Sequence, residues 1–345
     1  MRKHYAFVIF IVAMLLLAAC KKGEDGETTA PKEEPKEEEK VVYTYPFTGL
    51  ETEEEPTNRA IAVMVNNHAK ARPQSGLNEA DIVFEMLAEG NITRFLALYQ
   101  STLPQRVGPV RSAREYYFRL ADGYDAIYVY HGAANFIDEM IRDSGIDFLN
   151  GAHYDNDKQL FIRETFRVAP HNSYLLMEEA YNRAESKGYE ITVDHKPLTF
   201  LDEGETVTGE AAPYVKISYF PNSTFVEYKY DETTGTYLRY SDGVQTVDFE
   251  TETPIQLNNV LIIEAEHRVI DAEGRRAIDL ESGGFGYLLQ QGKVQHVQWE
   301  NRDGMIVPVK DGEVVPFVPG RTWVNVIQLE SQANVEQVQI SEFSE

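Results

Sequence analysis

Two arginines that follow a predicted turn have the residue types and the spacing of an anion-binding site. Arg111 and Arg114 come shortly after residues 108–109, and Arg114 falls in the first turn of a helix predicted over 112–121. A cation in the first turn is unfavourable, because the positive end of the helix dipole lies there. A bound anion would remove this penalty, since guanidinium groups and free backbone N–H groups bind phosphate and carboxylate. We therefore predict that Arg111 and Arg114 hold an anionic ligand.

The same two arginines have a purely structural alternative. Ser112 and Glu115 have the S-x-x-E spacing of a capping box, which would start the helix without any ligand. The arginines could then form internal salt bridges with Asp81, Glu85 or Glu89, since buried pairs of this kind are common where carboxylates are abundant. The sequence leaves the anion site and the internal ion pairs equally open.

A polar loop after the first predicted strand supplies further candidate ligand-binding residues. The strand is predicted over 60–65, and Asn66, Asn67 and Arg72 follow it in a segment that also contains His, Gln and Ser. Ligands of α/β proteins usually bind at strand ends of this kind. Asn-rich loops can instead satisfy their own backbone through Asx turns, but the length and polarity of this loop favour a site. Arg94, in a later strand, is predicted to line the same site.

Two histidines stand at the ends of predicted elements. His131 follows a buried strand predicted over 126–130, and His171 precedes a helix predicted over 174–187. A neutral histidine at a strand end can act as a general base or as a hydrogen-bond partner of a ligand. Alternatively, the residues after His171 serve only as the N-cap of that helix. Because neither histidine has an Asp or Glu at ligand spacing, the sequence predicts no metal site and no cofactor.

The predicted ligand site thus draws on several separate segments of the chain. The sequence contains no G-x-S-x-G, H-E-x-x-H or phosphate-loop motif, so it identifies no catalytic residue and leaves open whether the chain is an enzyme. The predicted ligand-binding residues are Asn66, Asn67, Arg72, Arg94, Arg111, Arg114, His131 and His171.

The elements that must position these residues predict an α+β protein with two domains. Apolar runs that alternate with helical segments predict an α/β ligand-binding domain over 58–192, in which residues 81–99 form a hairpin. Short alternating runs with Gly-containing turns predict a mostly antiparallel β domain over 193–335, which would act as a lid or a docking module. Trp299 and Trp323 fall at strand positions and are expected in the core.

The first residues predict export and lipid attachment. Residues 1–19 have a charged start, a short apolar run and a small-residue ending before Cys20, as in a signal peptide. The apolar run is shorter than the ~20 residues of a transmembrane helix. The ending resembles the bacterial lipobox, so Cys20, the only cysteine, would carry a diacylglyceryl group and an acyl chain such as palmitate. We predict a lipoprotein on the outer face of the cytoplasmic membrane, with an ordinary or uncleaved signal peptide as the alternative.

Charge and composition narrow the partners further. Residues 20–57 are rich in Glu and Lys and poor in apolar residues, which predicts a disordered acidic tether between the lipid and the folded protein. The net charge of −24 repels nucleic acid and anionic lipid headgroups. The sequence therefore predicts no nucleic-acid partner and attachment to the membrane through the lipid alone.

Several motifs resemble those of one lipoprotein family. The motifs are IAVMVNN (61–67), RPQSG (72–76), ADIVFE (80–85), TRF (93–95), GPVRSAR (108–114), PHN (170–172) and GRTW (320–323). In these motifs the chain resembles the YerB family of Gram-positive lipoproteins, a family of unknown function, over 58–330. The resemblance implies a lipid anchor and two domains, and it implies no activity.

The order of some motifs is also similar to that of LytR–CpsA–Psr phosphotransferases, which attach wall polymers from a pyrophosphate-linked polyprenyl donor. The similarity rests on residues 80–83, on residues 108–112 and on a strand that ends in residues 131–132, whereas the acidic residue of those enzymes is replaced here by Ser112. It implies phosphoryl or glycopolymer transfer, with Asp81 or Glu85 as base or metal ligand and arginines that stabilise phosphate charge.

Three functions follow from these observations. The first, which the residues favour, is a membrane-tethered envelope protein that binds a polar or anionic ligand. The second is the transferase, and the third is a scaffold for wall-synthesis proteins without a small ligand. Clustering of Arg94, Arg111 and Arg114 in one cleft would favour the first two functions, and a carboxylate pair beside them would favour the enzyme.

Overall fold

A mixed sheet of twelve strands runs through most of the chain. The computed structural model describes residues 42–220 and 223–341, which belong to one compact unit, Val41–Glu345. The fold is mostly β, with 43% of the residues in strands and 13% in helices. The predicted signal peptide (1–19) and Cys20 lie outside the described residues.

The longer strands belong to the two main sheets. They are β1 (Tyr43–Thr44), β2 (Glu51–Thr52), β3 (Ile61–Asn66), β4 (Ile82–Glu89), β5 (Ile92–Tyr99), β6 (Arg106–Val107), β7 (Ile127–Tyr130), β8 (Phe148–Asn150), β9 (Phe161–Arg163), β10 (Ser173–Leu176), β11 (Glu210–Ala211), β12 (Tyr214–Phe220), β13 (Ser223–Asp231), β14 (Thr236–Ser241), β15 (Val244–Gln245), β16 (Gln256–Leu257), β17 (Asn259–Ala265), β18 (His267–Val269), β19 (Arg276–Ile278), β20 (Gly284–Gln290), β21 (Lys293–Arg302), β22 (Met305–Lys310), β23 (Glu313–Val314), β24 (Thr322–Gln328) and β25 (Val338–Ser341).

The helices of the described residues fall mainly in the first half of the chain. The α-helices are α1 (Glu115–Gly123), α2 (Asn135–Ser144) and α3 (Met177–Ser186), and the 3₁₀ helices are Ala69–Ala71, Leu77–Glu79 and Glu330–Gln332.

The strand order shows how the sheets are built. The large sheet has the order β23-β22-β21-β20-β17-β24-β4-β5-β3-β7-β8, with β11 beside β21. The pairs β17–β24, β24–β4, β3–β7 and β7–β8 are parallel, and the other pairs are antiparallel. A six-stranded antiparallel sheet has the order β15-β14-β13-β12-β25, with β16 beside β14.

The first half of the chain has the predicted alternation of strands and helices. Strands β3 and β7 confirm the predictions over 60–65 and 126–130, and β4 and β5 confirm the hairpin over 81–99. Every residue of β3 and β7 is buried, as is typical of strands that are covered on both faces. Helices α1 and α2 lie in the connections from β5 to β7 and from β7 to β8.

The penultimate strand, β24, lies in the middle of the large sheet. Trp323 pairs with Val260 of β17 on one side and with Val83 of β4 on the other. Trp323 and Trp299 are both buried, which confirms that they belong to the core. Strands from both sides of the predicted domain boundary at residue 192 therefore share one sheet, and the boundary itself stays a prediction.

The first two strands of the described residues fall within the segment predicted to be a disordered tether, 20–57. Strands β1 and β2 pair with each other, and Phe47 between them is buried. The Phe47 ring packs against Tyr124 and His195, with ring centroids 5.5 and 4.9 Å apart. The buried Phe47 side chain thus anchors this segment to the folded unit.

Two helix starts predicted from the sequence are wrong. Helix α1 begins at Glu115, and its N-cap is Arg114 without a side-chain cap, so Ser112 forms no capping box. Residues before Glu115 are extended instead, because their backbone groups bond to neighbouring strands. The helix predicted from residue 174 begins at Met177, since residues 173–176 form β10, paired with β6 and β9.

Candidate functional site

Arg111 lies in an extended segment between the ends of two strands. Its backbone N–H donates to the Met64 carbonyl of β3, and its carbonyl accepts from the His131 N–H just after β7, each at 2.9 Å. The preceding residue, Val110, forms a β-bridge with Val65. Two strands therefore hold the backbone of Arg111 in place, which fixes the starting point of its side chain.

The Arg111 side chain is half-buried, and it has no hydrogen bond or ion pair within residues 42–220 and 223–341. Burial and then the positive charge of Arg94 lower the pKa of Arg111 to about 10. The guanidinium is still charged at neutral pH. An unpaired cation in this environment loses hydration without gaining a partner, so a bound anion would stabilise it.

Two stacked histidines lie close enough to Arg111 for its positive charge to lower the pKa of each. The rings of His68 and His171 have centroids 4.7 Å apart and an interplanar angle of 27°. The Asn66 amide nitrogen is 2.8 Å from Nδ1 of His171. We call Arg111, His68, His171 and Asn66 the Arg111 cluster. The structure thus brings together three of the predicted site residues with His68, which the sequence analysis did not single out.

Hydrogen bonds fix which nitrogen of each stacked ring carries the proton. Asn66 Oδ1 accepts from the His68 backbone N–H at 3.0 Å, so its Nδ2 is the group that donates to His171 Nδ1. The Lys70 backbone N–H donates to His68 Nδ1 at 3.1 Å. Because both Nδ1 atoms accept, each neutral ring carries its proton on Nε2. The stack therefore offers two N–H donors.

The surroundings favour the neutral form of both rings. Burial, and then the charges of Lys70, Arg72 and Arg111, lower the pKa of His68. Burial, and then His68, Arg111, Lys70 and Arg167, lower the pKa of His171. At neutral pH the positive charge of the cluster therefore resides on Arg111, and the imidazoles act as uncharged donors.

His131 lies near the cluster but has partners of its own. Its Nδ1 is 2.8 Å from Ser173 Oγ, and Arg163 Nη2 is 3.4 Å from its Nε2. Since Arg163 can only donate, Nε2 accepts and Nδ1–H donates to Ser173. Burial and then Arg163 lower the pKa of His131, which Asp155 opposes and Arg111 assists. His131 thus supports the end of β7 beside Arg111.

Arg94 and Arg114 are paired with the same carboxylate. Arg94 Nη2 lies 2.9 and 2.8 Å from the two oxygens of Glu89, and Arg114 also forms an ion pair with Glu89. Both guanidiniums are buried, and Arg94 also donates to the Ser112 carbonyl at 2.7 Å. The structure therefore places Arg114 in the internal ion pair that the sequence left open, and of Arg94, Arg111 and Arg114 it is Arg111 that has no partner among the described residues.

Asn67 and Arg72 face a different part of the structure from the Arg111 cluster. Asn67 is buried, and its Oδ1 accepts from Arg72 Nε at 3.0 Å. Arg72 also forms an ion pair with Asp242 at 2.5 Å. Both residues line a groove of about 410 Å³ between the loop 67–74 and the segment 239–247. These two predicted residues thus connect the two halves of the chain.

Glu85 lies at the centre of a buried hydrogen-bond network. Its Oε1 accepts from Asn67 at 3.2 Å and from Thr93 at 2.9 Å. Its Oε2 accepts from Arg239 at 2.8 Å and from Trp323 Nε1 at 3.0 Å. Glu85 and Arg239 are each 1% exposed. Both oxygens of this carboxylate are therefore occupied, so Glu85 has the contacts of a structural residue.

Asp81 is likewise held by hydrogen bonds in the interior. Its Oδ2 accepts from the backbone N–H groups of Gln100 at 2.6 Å and Ser101 at 2.9 Å, and its Oδ1 accepts from the Ser101 hydroxyl. Burial raises the pKa of Asp81 to about 6, although these hydrogen bonds oppose the rise. The folded protein therefore binds this proton more tightly than the unfolded chain does.

We expect Asp81 to make the protein less stable as the pH rises. Between about pH 4 and 6 the folded state holds the Asp81 proton and the unfolded chain does not, so stability falls by about 3 kcal/mol across that interval. Asp81→Asn should flatten this part of the profile, measured by urea unfolding. Asp202→Asn, at an exposed position, is the control and should keep the slope. An unchanged slope in Asp81→Asn would contradict the prediction.

Sequence reasoning missed His68 and Arg163. His68 stands directly after the two asparagines of the polar loop, so its position was a usable signal. Arg163 lies in β9, far from any motif, and only the folded chain brings it to His131. Lys70 was likewise not selected, although it stands two residues after His68.

Two further observations concern the described part of the chain alone. Within it, no three or more His, Cys, Asp or Glu side chains are grouped as they would be to hold a metal ion. Over residues 42–220 and 223–341, no helix combines the length and the apolar character needed to cross a bilayer.

Comparison with known proteins gives consistent matches along the chain. Residues 47–190 match the family "Protein of unknown function (DUF3048) N-terminal domain", and residues 215–324 match the corresponding C-terminal domain. The chain is 44% identical over 330 residues to "Putative lipoprotein YerB" of Bacillus subtilis (strain 168), which covers 95% of this chain and 96% of that protein. It is also similar to the crystal structure of YerB protein from Bacillus subtilis, with a TM-score of 0.80, 46% identity, and coverage of 87% of this chain and 100% of that one.

These matches confirm the resemblance that the motifs indicate. Both family models fall on this chain in the expected order, and the identity to the Bacillus subtilis protein extends over almost the whole length of both chains. The relative's name supports a lipoprotein-like protein, and the family description leaves the role unknown. The chain therefore belongs to the DUF3048 family of YerB-like proteins.

Proposed function

We propose that this protein is a lipid-anchored envelope protein that binds an anionic ligand at the Arg111 cluster. The observation that carries the proposal is the half-buried, unpaired guanidinium of Arg111 beside two neutral imidazoles. Guanidinium and imidazole N–H groups are strong donors to oxyanions. The ligand would supply the negative charge that the fold leaves out at this position.

The surrounding charges support this proposal. The protein is acidic, with a net charge of −24, yet the carboxylates near the cluster are committed to other arginines. Asp155 pairs with Arg163, Asp242 with Arg72, and Glu89 with both Arg94 and Arg114. Exposed Lys70 adds a further cation beside the stacked histidines. A local excess of positive charge in an acidic protein is more easily explained by a ligand than by stability.

Replacing Arg111 with alanine should abolish anion binding without unfolding the protein. The side chain has no hydrogen-bond or ion-pair partner in the part of the chain that the structure describes, so we expect the apo free energy of unfolding to change by less than about 1 kcal/mol. The measurement is the thermal shift of the full-length protein in detergent, titrated with inorganic phosphate. Wild type should be stabilised by phosphate, and Arg111→Ala should not.

Arg119→Ala is the matched control, because Arg119 is an exposed arginine of α1 whose ion pair is with Glu115 of the same helix. It removes the same charge from the same region and should keep the phosphate effect. Equal stabilisation of Arg111→Ala and wild type would refute the proposal. A large loss of stability in apo Arg111→Ala would do so as well, because it would show that Arg111 already has a structural partner.

The proposed location rests on Cys20 and on the lipoprotein-like relative. We expect Cys20→Ser to leave an unprocessed precursor or to release the protein into the medium, because the diacylglyceryl group has no thiol to join. The measurement is metabolic labelling with a radioactive fatty acid, followed by fractionation of membrane and medium. Labelling that persists in Cys20→Ser would show that the lipid is attached elsewhere or not as proposed.

A further inference from the structure

We propose that the Arg111 cluster recognises a phosphodiester, a singly charged oxyanion that carries no proton of its own. This inference rests on the proposed function and adds the chemical class of the ligand. It follows from the direction of each hydrogen bond in the cluster, from its formal charge and from the arrangement of its donors.

The groups that the cluster can offer to a ligand are donors. Arg111 has five N–H groups and no acceptor. His68 and His171 each have Nδ1 occupied by an incoming N–H, from Lys70 and from Asn66, so each ring has only its Nε2–H to offer. Neither Nε2 atom has a hydrogen-bond partner within the described residues. A ligand oxygen placed here would therefore have to accept.

Two side-chain acceptors near these donors already accept hydrogen bonds from the protein. Asn66 Oδ1 accepts from the His68 backbone, and His131 Nε2 accepts from Arg163. A ligand that carries its own P–OH group would therefore place a hydrogen-bond donor against the N–H donors of the cluster. Sites of this kind discriminate strongly, because an unpaired buried polar group is costly, and we expect at least a tenfold (~1.4 kcal/mol) preference for a proton-free anion.

Charge and geometry favour a phosphodiester over other proton-free anions. With the imidazoles neutral, Arg111 contributes one positive charge to the cluster, which matches a monoanion. The two Nε2–H donors belong to different, stacked rings whose centroids are 4.7 Å apart, so the two N–H groups are not coplanar. Donors spread in this way fit the tetrahedral oxygens of a phosphodiester better than the two coplanar oxygens of a carboxylate.

The charged and titratable groups that face the cluster keep its donors constant around neutral pH. They are Lys70 and Arg72 from the loop, His131, Arg163 and Asp155 from the end of β7 and the neighbouring loop, Arg167 from the segment before His171, and Arg94 behind Arg111. Most are cations that oppose protonation of the histidines. Protonation of Nδ1 in either histidine would also break the hydrogen bond that this nitrogen now accepts.

The test compares a phosphodiester, a phosphomonoester and a carboxylate, and of these the monoester carries the P–OH proton that titrates near neutral pH. The full-length protein in detergent is titrated by calorimetry with diethyl phosphate, ethyl phosphate and acetate at about pH 5.5 and about pH 7.5, on either side of the monoester's second pKa of about 6. Diethyl phosphate is the internal standard at each pH, because its own charge does not change between them. Relative to diethyl phosphate, ethyl phosphate should bind about threefold more weakly at the lower pH, because about three quarters of it then carries a P–OH group and that form binds about tenfold more weakly.

Asn66→Asp should remove this discrimination. The new carboxylate can only accept, so His171 must turn its proton to Nδ1, and its Nε2 can then accept a proton from the ligand. The variant should therefore bind ethyl phosphate at the lower pH as well as wild type does at the higher pH. Asn78→Asp adds the same charge outside the cluster and should leave the wild-type pattern unchanged.

The outcomes separate this inference from the proposed function. In one outcome, all the anions bind, Arg111→Ala abolishes their binding, and the proton of the monoester makes no difference. This result would overturn the phosphodiester inference and leave the proposal of anion binding intact. Acetate that binds more tightly than diethyl phosphate would also overturn it. Absence of any Arg111-dependent binding would overturn both proposals.

Discussion

Replacing Glu85 with alanine should destabilise the protein by about 3–5 kcal/mol, because it leaves the guanidinium of Arg239 buried without a counter-charge. The same change removes the acceptor of Trp323 Nε1 and one acceptor of Asn67. A loss of this size is a large part of the stability of a typical domain. The measurement is the free energy of unfolding from urea titration, followed by tryptophan fluorescence.

Two variants make this result specific. Arg72→Ala breaks the ion pair with Asp242, which is more exposed to solvent, and should cost about 1 kcal/mol or less. The double variant Glu85→Ala with Arg239→Met removes both buried charges and should recover part of the stability that the single variant loses. A Glu85→Ala protein as stable as Arg72→Ala would show that Arg239 reaches solvent or another acceptor.

Glu89→Gln should be the second most damaging substitution, with an expected loss of about 2–4 kcal/mol. Glu89 is the shared counter-charge of Arg94 and Arg114, whose side chains are 5% and 6% exposed. Glutamine keeps the size of the side chain but leaves two like charges buried side by side. The expected result is a lower urea midpoint with an unchanged slope of the transition.

The control for Glu89→Gln is Glu115→Gln, because Glu115 pairs with Arg119 on the exposed surface of α1. This substitution removes the same charge and should change stability by about 0.5 kcal/mol or less. Adding inorganic phosphate offers a further check. If the anion site were at Arg94 and Arg114 rather than at Arg111, phosphate would rescue Glu89→Gln, and we expect no such rescue.

Local sequence patterns predicted many of the longer strands, although residues 174–176 of β10 were predicted as helix. The apolar runs of β3 and β7 and the hairpin of β4 and β5 were predicted, because burial and turn chemistry are encoded within a few residues. The position of β24 between β17 and β4 was not, since no short pattern shows which strands pair over more than two hundred residues. The predicted start of α1 was wrong for a related reason. Backbone groups before Glu115 bond to β3 and to the end of β7, and this outweighs a favourable capping sequence.

The candidate site was predicted in its residue types and only partly in its arrangement. Asn66, Arg111 and His171 lie in one cluster, as expected of a ligand site. Arg114 has the ion pair with Glu89 that was the alternative. The stack of His68 on His171 joins residues that are far apart in sequence, so spacing could not reveal it. What decides between a site and a salt bridge is whether a carboxylate is within reach, and only the fold determines that.

If the chain is exported across a membrane as proposed, the central place of β24 affects how it crosses. A strand that completes the middle of a sheet must be available before its neighbours on either side can join, so the large sheet cannot close until residues 322–328 have emerged. A chain threaded across a membrane from its N-terminus would stay open for almost its entire passage. Such a delay keeps the chain in a form that a translocation channel can accept, at the cost of prolonged exposure of strand edges to aggregation and proteases. Truncation just before Thr322 should for that reason be as harmful as removing a segment from the core.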